Sequence, residues 1–219
     1  MSANTNVTEI AGKHSIADMA IDFSDLSRHS LEDRSVLQEN FSALQRRWHV
    51  ANDPQHPVHL DPKLMQNLFP DQRRLFEILA HMTLNQVTEI AQCKAPLFQL
   101  RFATGSLVED PESAARAENP HKAFSEIESS CREENLMALA VRLDLTHQNE
   151  TNCALLFGMQ SSETKLLRRH SMLELRTLAS HPLTRLVQGV TDQFFIISSA
   201  KKMDWRLRTA FARTSRRTS

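Results

Sequence analysis

Four glycines and no tyrosine in 219 residues leave little from which to build a large sheet, because many-stranded sheets need Gly-rich turns and rely on β-branched and aromatic side chains. A mostly helical chain is expected. Three cysteines, Cys93, Cys131 and Cys153, are odd in number, widely spaced and without a Cys-x-x-Cys pair. That pattern argues against a disulfide framework or structural zinc and fits reduced thiols in a cytoplasm. Nowhere do 18 apolar residues follow one another, so no membrane span is expected. Met1 to Asp18 is polar and holds Glu9, which suits neither a signal peptide nor an anchor.

Catalytic signatures are also scarce. Gly12, Gly105, Gly158 and Gly189 stand alone, so no Gly-rich loop cradles a phosphate, and Cys93 sits beside Lys94 without a glycine elbow. His49, His56 and His59 have spacing that a metal could use, but the stretch between them is broken by prolines, a poor scaffold for a rigid tetrahedral site. No enzyme, cofactor or metal is expected.

Charge balances overall, 26 basic residues against 26 acidic, but not locally. Lys201, Lys202, Arg206, Arg208, Arg213, Arg216 and Arg217 face a single acid, Asp204, near the C-terminus, whereas eight acids crowd Glu109 to Glu134. A polyanion-binding face over the whole surface is therefore excluded. Any nucleic-acid contact is confined to the basic end or supplied by a partner.

With 41% hydrophobic residues the chain can bury a sizeable core. Residues 1–29 read as a mobile segment rich in Ser, Thr, Asn and Asp. Ser30 then looks like the cap of a helix running to about Val50, with Leu37, Phe41, Leu44 and Trp48 on one face. Asp61-Pro62 opens a short helix, Pro70 another, and Thr83 a third that Pro96 ends. Leu97 to Phe102 alternates as a short extended piece. Residues 106–119 form an acidic linker. Beyond it, apolar spacing marks a long helix over 121–145. A polar break at 146–151 precedes a short helix closed by Gly158. Ser161 or Ser162 caps the next helix and Ser171 the one after. Phe194 to Ile197 is an apolar run that periodicity does not assign, and a basic helix follows Lys201.

Sliding residues 68–102 forward by 88 positions superimposes the apolar pattern without a gap. Leu68-Phe69 falls on Leu156-Phe157, Ile78-Leu79 on Leu166-Leu167 and Ile90-Ala91 on Leu178-Ala179. Thr83-Leu-Asn-Gln86 falls on Ser171-Met-Leu-Glu174, and both read as capping boxes, in which the hydroxyl accepts from the amide three residues on and the Gln or Glu reaches back. A duplicated helical module is the reading, with module 1 over 30–105, module 2 over 120–200 and a basic tail over 201–219.

The residues Leu139-Ala140-Val-Arg142-Leu143, Phe157-Gly158-Met159, Ser171-Met172 and Leu178-Ala179 resemble the FlhD family of bacterial flagellar regulators. So do Met82-Thr83-Leu84, Ile90-Ala91 and Leu100-Arg101-Phe102. About half of the chain is covered, at low identity. The family's proteins are helical homodimers that join FlhC in a hetero-oligomeric transcriptional activator. The resemblance therefore implies an all-α fold of two tandem FlhD-like modules packed as an intrachain pseudo-dimer. It also implies a FlhC-like partner and DNA contact through the complex. The family's interchain cysteine would fall on Phe98 and Leu186, so that link is absent, and Ser30 to Val50 keeps little of the family pattern.

The resemblance places a packing or partner surface on Thr83, Leu84, Val87, Ile90, Ala91, Ser171, Met172, Leu175, Leu178 and Ala179. The seven basic residues from Lys201 to Arg217 are the candidate phosphate contacts, with a solvated tail as the alternative. The paired helices before and after Thr83 and Ser171 have the spacing of a helix-turn-helix and equally that of an ordinary hairpin. Three functional readings follow: a cytoplasmic regulator acting through a FlhC-like partner, a helical adaptor without a promoter role, and a DNA binder acting alone.

Overall fold

A computed structural model describes residues 30–102 and 126–217 of the chain. The expected N-terminal segment and acidic linker lie outside these residues. Ten helices and one two-stranded sheet are formed among them. They are α1 (Leu31–Asn52), α2 (Pro57–Leu60), α3 (Pro62–Leu68), α4 (Arg73–Ala80), α5 (Leu84–Ala91) and β1 (Phe98–Arg101). Further along come α6 (Glu126–Phe157), α7 (Ser161–Arg169), α8 (Met172–Ser180), β2 (Arg185–Gln188), α9 (Asp192–Ala200) and α10 (Trp205–Thr214). The expectation of an all-α chain is thus corrected by a small sheet.

Local capping sets many of the boundaries. Ser30 Oγ accepts from the Asp33 amide at 3.1 Å to open α1, and Asp61 Oδ1 accepts from Lys63 at 2.8 Å to open α3. Both expected capping boxes are present. The Thr83 amide donates to Gln86 Oε1 at 2.8 Å and the Gln86 amide returns to Thr83 Oγ1 at 3.3 Å. At α8 the Ser171 amide donates to Glu174 at 2.6 Å, and the Glu174 amide to Ser171 Oγ at 3.4 Å. The Ser171 amide and hydroxyl, both donating to the Glu174 carboxylate, hold it below the usual carboxylate range.

Elsewhere the boundaries move for identifiable reasons. Helix α4 starts at Arg73 rather than Pro70 because Asp71 takes a positive φ of 58° and breaks the path. Gln160, not Ser161 or Ser162, precedes α7, and its amide donates to Glu163 at 2.7 Å. The polar break after residue 145 survives only as Asn149, non-helical within α6, whose side chain recaps the chain by accepting from Asn152 at 2.9 Å. Gly158 then ends α6 at φ +67°, a conformation that costs glycine nothing. The unassigned Phe194 to Ile197 run lies in helix α9.

Helices α1 and α6 pack together at the centre, α1 carrying α4 and α5, α6 carrying α7 and α8. Strands β1 and β2 pair antiparallel, with Phe98 opposite Gln188, Gln99 opposite Val187, Leu100 opposite Leu186 and Arg101 opposite Arg185. Helix α9 lies on α4 and α5. The main core draws Leu44, Leu79, Ile90 and Phe98 from the first stretch and Leu139, Leu167, Leu178 and Phe194 from the second. Each fully buried side chain of this kind contributes about 1.5–3 kcal/mol. Neither stretch therefore owns a complete core.

Candidate functional site

The candidate phosphate contacts divide into two groups once the chain is folded. Lys201, Lys202, Arg206 and Arg213 are exposed. Arg208 is not: it is 2% exposed, donates from Nη2 to the Met203 carbonyl at 3.0 Å and from Nη1 to the Glu89 carbonyl, and faces the Glu89 carboxylate. Burial lowers its pKa, the Glu89 charge opposing the shift. Arg216 donates to the Leu156 carbonyl at 2.7 Å, and Arg217 pairs with Asp192 at 2.8 Å. Burial, then repulsion from Arg213, lowers the Arg216 pKa. The expected tail is for the most part a packed helix, with Ala212 at 0% exposure. Three of its seven cations are engaged in joining it to the rest of the fold.

The candidate packing residues also divide. Val87, Ile90, Ala91, Leu175, Leu178 and Ala179 are buried, Leu84 is half-buried, and Thr83, Ser171 and Met172 are exposed. The buried six face α1 or α6 rather than one another across a groove, since α5 packs on α1 and α8 on α6. Helices α5 and α8 thus each pack against one of the two long helices.

Direct polar contact between the long helices comes from Arg47, Glu39, Glu134 and Arg142, of which the sequence reading singled out Arg142 alone, and only within the family resemblance. Arg47 Nη1 lies 2.9 Å from Glu134 on α6, and Arg142 Nη2 lies 3.0 Å from Glu39 on α1. Both guanidinium side chains are 1% exposed. Arg47 donates also to the Ala43 carbonyl at 3.0 Å, and Arg142 to the Ala138 carbonyl at 2.8 Å. Each covers an aromatic ring, Phe98 at 4.5 Å for Arg47 and Phe157 at 4.0 Å for Arg142. Arg47 further reaches the Leu186 carbonyl at 3.0 Å, tying α1 to β2. Such pairs hold position because the low surrounding dielectric strengthens them and punishes the removal of one partner.

Beside each pair stands a buried asparagine. Asn40 Nδ2 donates to the carbonyls of Cys93 at 2.8 Å and Ala95 at 3.0 Å, while its Oδ1 accepts from the Leu97 amide at 2.9 Å. Asn135 Nδ2 donates to the Thr184 carbonyl at 2.8 Å. These amides hold the segments that lead into β1 and β2. The available signal was the string Glu-Asn-x-x-Ala-Leu-x-x-Arg, found at 39–47 and again at 134–142. Its offset is 95 rather than 88, because seven more residues separate Arg47 from Arg73 than separate Arg142 from Ser161.

Among the described residues no cluster of His, Cys, Asp or Glu could hold a metal, and no helix is long and apolar enough to cross a membrane. His59 Nε2 is 2.6 Å from the Val50 carbonyl, and His56 accepts from the Val58 amide. Cys93, Cys131 and Cys153 are free thiols and buried. Burial, reinforced by the Glu134 charge, pushes Cys131 up to about 11, and burial raises the other two. None has the lowered pKa of a nucleophile. A cleft of about 710 Å³ between the end of α1, α3 and α4 is floored by Phe69 and Phe76 and rimmed by Arg73 and Glu77.

The class these observations define is a helical bundle built on two crossed ion pairs and a short ladder. Compared with known protein families, with characterised proteins and with solved structures, the chain matches none.

Proposed function

We propose that the chain is a FlhD-like transcriptional regulator, two copies of one helical module clasped as a pseudo-dimer, acting with a FlhC-like partner that carries most of the DNA contact. The observation that carries this reading is the reciprocity of the seam. Arg47 reaches from the first copy to Glu134 of the second, and Arg142 from the second to Glu39 of the first. The ladder agrees: a shift of 88 carries Gln99 onto Val187, and those two residues lie opposite each other. A two-fold relation makes every contact occur twice, as in an isologous dimer. Joining the copies by a linker raises the effective concentration of the second to about millimolar and makes the pairing obligatory.

The division of basic residues supports a partner-dependent role over direct DNA binding, because only four of the seven candidate cations are free to meet phosphates. It also favours the adaptor as the second reading. The test is a band-shift series at low salt with the chain, a FlhC-like protein and promoter DNA. The chain alone is expected to leave DNA unshifted and to supershift the partner's complex. Replacing Lys201, Lys202, Arg206 and Arg213 by alanine should flatten the salt dependence of that supershift, its slope falling by about 0.9 for each phosphate no longer neutralised. Absence of any supershift would leave the adaptor.

A further inference from the structure

One rung of the β1–β2 ladder sets like charges against each other. Phe98 faces Gln188, Gln99 faces Val187 and Leu100 faces Leu186, but Arg101 stands directly opposite Arg185. Like charges placed opposite across two strands destabilise the pairing, and an acid at either position would remove that cost. Neither arginine forms an ion pair among the described residues. Arg101 is exposed, and its guanidinium makes no hydrogen bond there either. Arg185 is half-buried and donates from Nε to the Pro182 carbonyl at 2.7 Å, which leaves both Nη groups without partners among the described residues. Gln99, two residues before Arg101 and so on the same face of β1, also has a side-chain amide without a hydrogen bond among them. The backbone beneath the pair is fixed. Thr184 and Leu186 flank Arg185, and their carbonyls accept from Asn135 at 2.8 Å and from Arg47 and Gln72 at 3.0 and 3.1 Å. Leu100 and Phe102, which flank Arg101, are buried.

We infer that Arg101 and Arg185 form a clasp for a phosphate group. Donors without acceptors, carried on a fixed backbone, let an oxyanion bind without reordering the protein. Guanidinium groups meet phosphate oxygens through paired N–H donors, and one anion between the two arginines replaces their repulsion with two attractions. A carboxylate fits less well, because one guanidinium satisfies both of its oxygens and its single charge leaves the second cation unmatched. Guarding an open strand edge is the other use of such charges, but an arginine opposite an acid would guard it equally well. The chain thus keeps a destabilising pair where a stabilising one would serve the fold, and local rules are broken in this way at functional positions. A nucleic-acid backbone and a small phosphate ester offer the same oxygens, and the test separates them. The clasp does not depend on the regulatory reading above.

The test is a titration of the full chain with inorganic phosphate at fixed ionic strength, with acetate and chloride as controls, followed by NMR at the arginine Nε–Hε groups. The Arg101 and Arg185 signals should move and saturate with phosphate, while those of Arg169 and Arg176, exposed on α7 and α8, should not. Arg101→Gln plus Arg185→Gln should weaken phosphate binding about tenfold or more, read at the Gln99 side-chain amide. Arg101→Glu sets an acid opposite Arg185. It should abolish phosphate binding and, without phosphate, raise the thermal midpoint by up to about 4 °C. Movement of all four arginine signals alike, saturation with acetate as readily as with phosphate, or no movement at all overturns the inference. So does a fall in the Arg101→Glu midpoint with phosphate binding unchanged. The source of the phosphate is read by placing the double glutamine variant in the supershift series. A salt slope lower by about 0.9 assigns the clasp to a nucleic-acid backbone. An unchanged slope, together with binding of glycerol phosphate by the wild-type chain alone, assigns it to a small ester. Failure of every supershift removes the regulatory reading and leaves the phosphate titration to decide this one.

Discussion

Replacing Arg142 by methionine should cost about 3–5 kcal/mol of folding stability, read as a fall in the denaturation midpoint by far-UV circular dichroism. The size follows from what stays behind. Glu39 is 7% exposed at its side chain, and without the guanidinium its carboxylate has no counter-charge in a place that water hardly reaches. The Ala138 carbonyl and the Phe157 ring are left without the guanidinium as well. The same argument predicts a rescue. Adding Glu39→Leu to Arg142→Met should recover most of the deficit, because a buried ion pair replaced by apolar residues of similar volume is often close to neutral. A double variant as unstable as the single one would mean that the pair matters through its hydrocarbon packing, not its charge.

Asn40→Ala should be nearly as damaging, about 3 kcal/mol or more. Asn40 is 0% exposed and its amide serves three backbone groups, the carbonyls of Cys93 and Ala95 and the amide of Leu97. A buried polar group left without a partner costs about 1–3 kcal/mol. Asn40→Asp adds a sign that can be checked. A carboxylate could still accept from Leu97 but would face two carbonyl oxygens, so its pKa in the fold would rise above the unfolded value. Its stability would then be present in mild acid and lost as pH rises towards neutrality. Equal stability of the aspartate variant at both ends of that range would show that the carbonyls had found other donors.

How much of this was legible in the sequence depended on the range of the interaction. The capping boxes at Thr83 and Ser171 are complete within four residues, and both were readable directly. The caps at Ser30 and Asp61 belong to the same kind. Strand β2 was hidden because Arg185 to Gln188 carries no alternation, and only its pairing with β1, far back in the chain, makes it a strand. Helix α9 was ambiguous because Phe194 and Phe195 are buried together, which blurs the helical period.

The seam was missed for a different reason. Arg47 and Arg142 look like surface charges one at a time, since arginine is seldom fully buried. Only the repeated Glu-Asn-x-x-Ala-Leu-x-x-Arg string sets them apart, and it lies off the register of 88 that the capped helices share. The C-terminal charges erred in the opposite direction. Counting seven cations was correct, but no local pattern marks Arg208, Arg216 and Arg217 as pointing inward to carbonyls and to Asp192.

We propose that each half folds against the other as one subunit of a dimer would. The most direct measurement of this is to produce residues 30–102 and 126–217 as separate chains, alone and together, and to record their mass in solution and their thermal unfolding. The expected result is one complex with a copy of each and a single cooperative transition, with neither piece forming a stable monomer by itself. Two pieces that each melt cooperatively as monomers and pass one another by when mixed would contradict it.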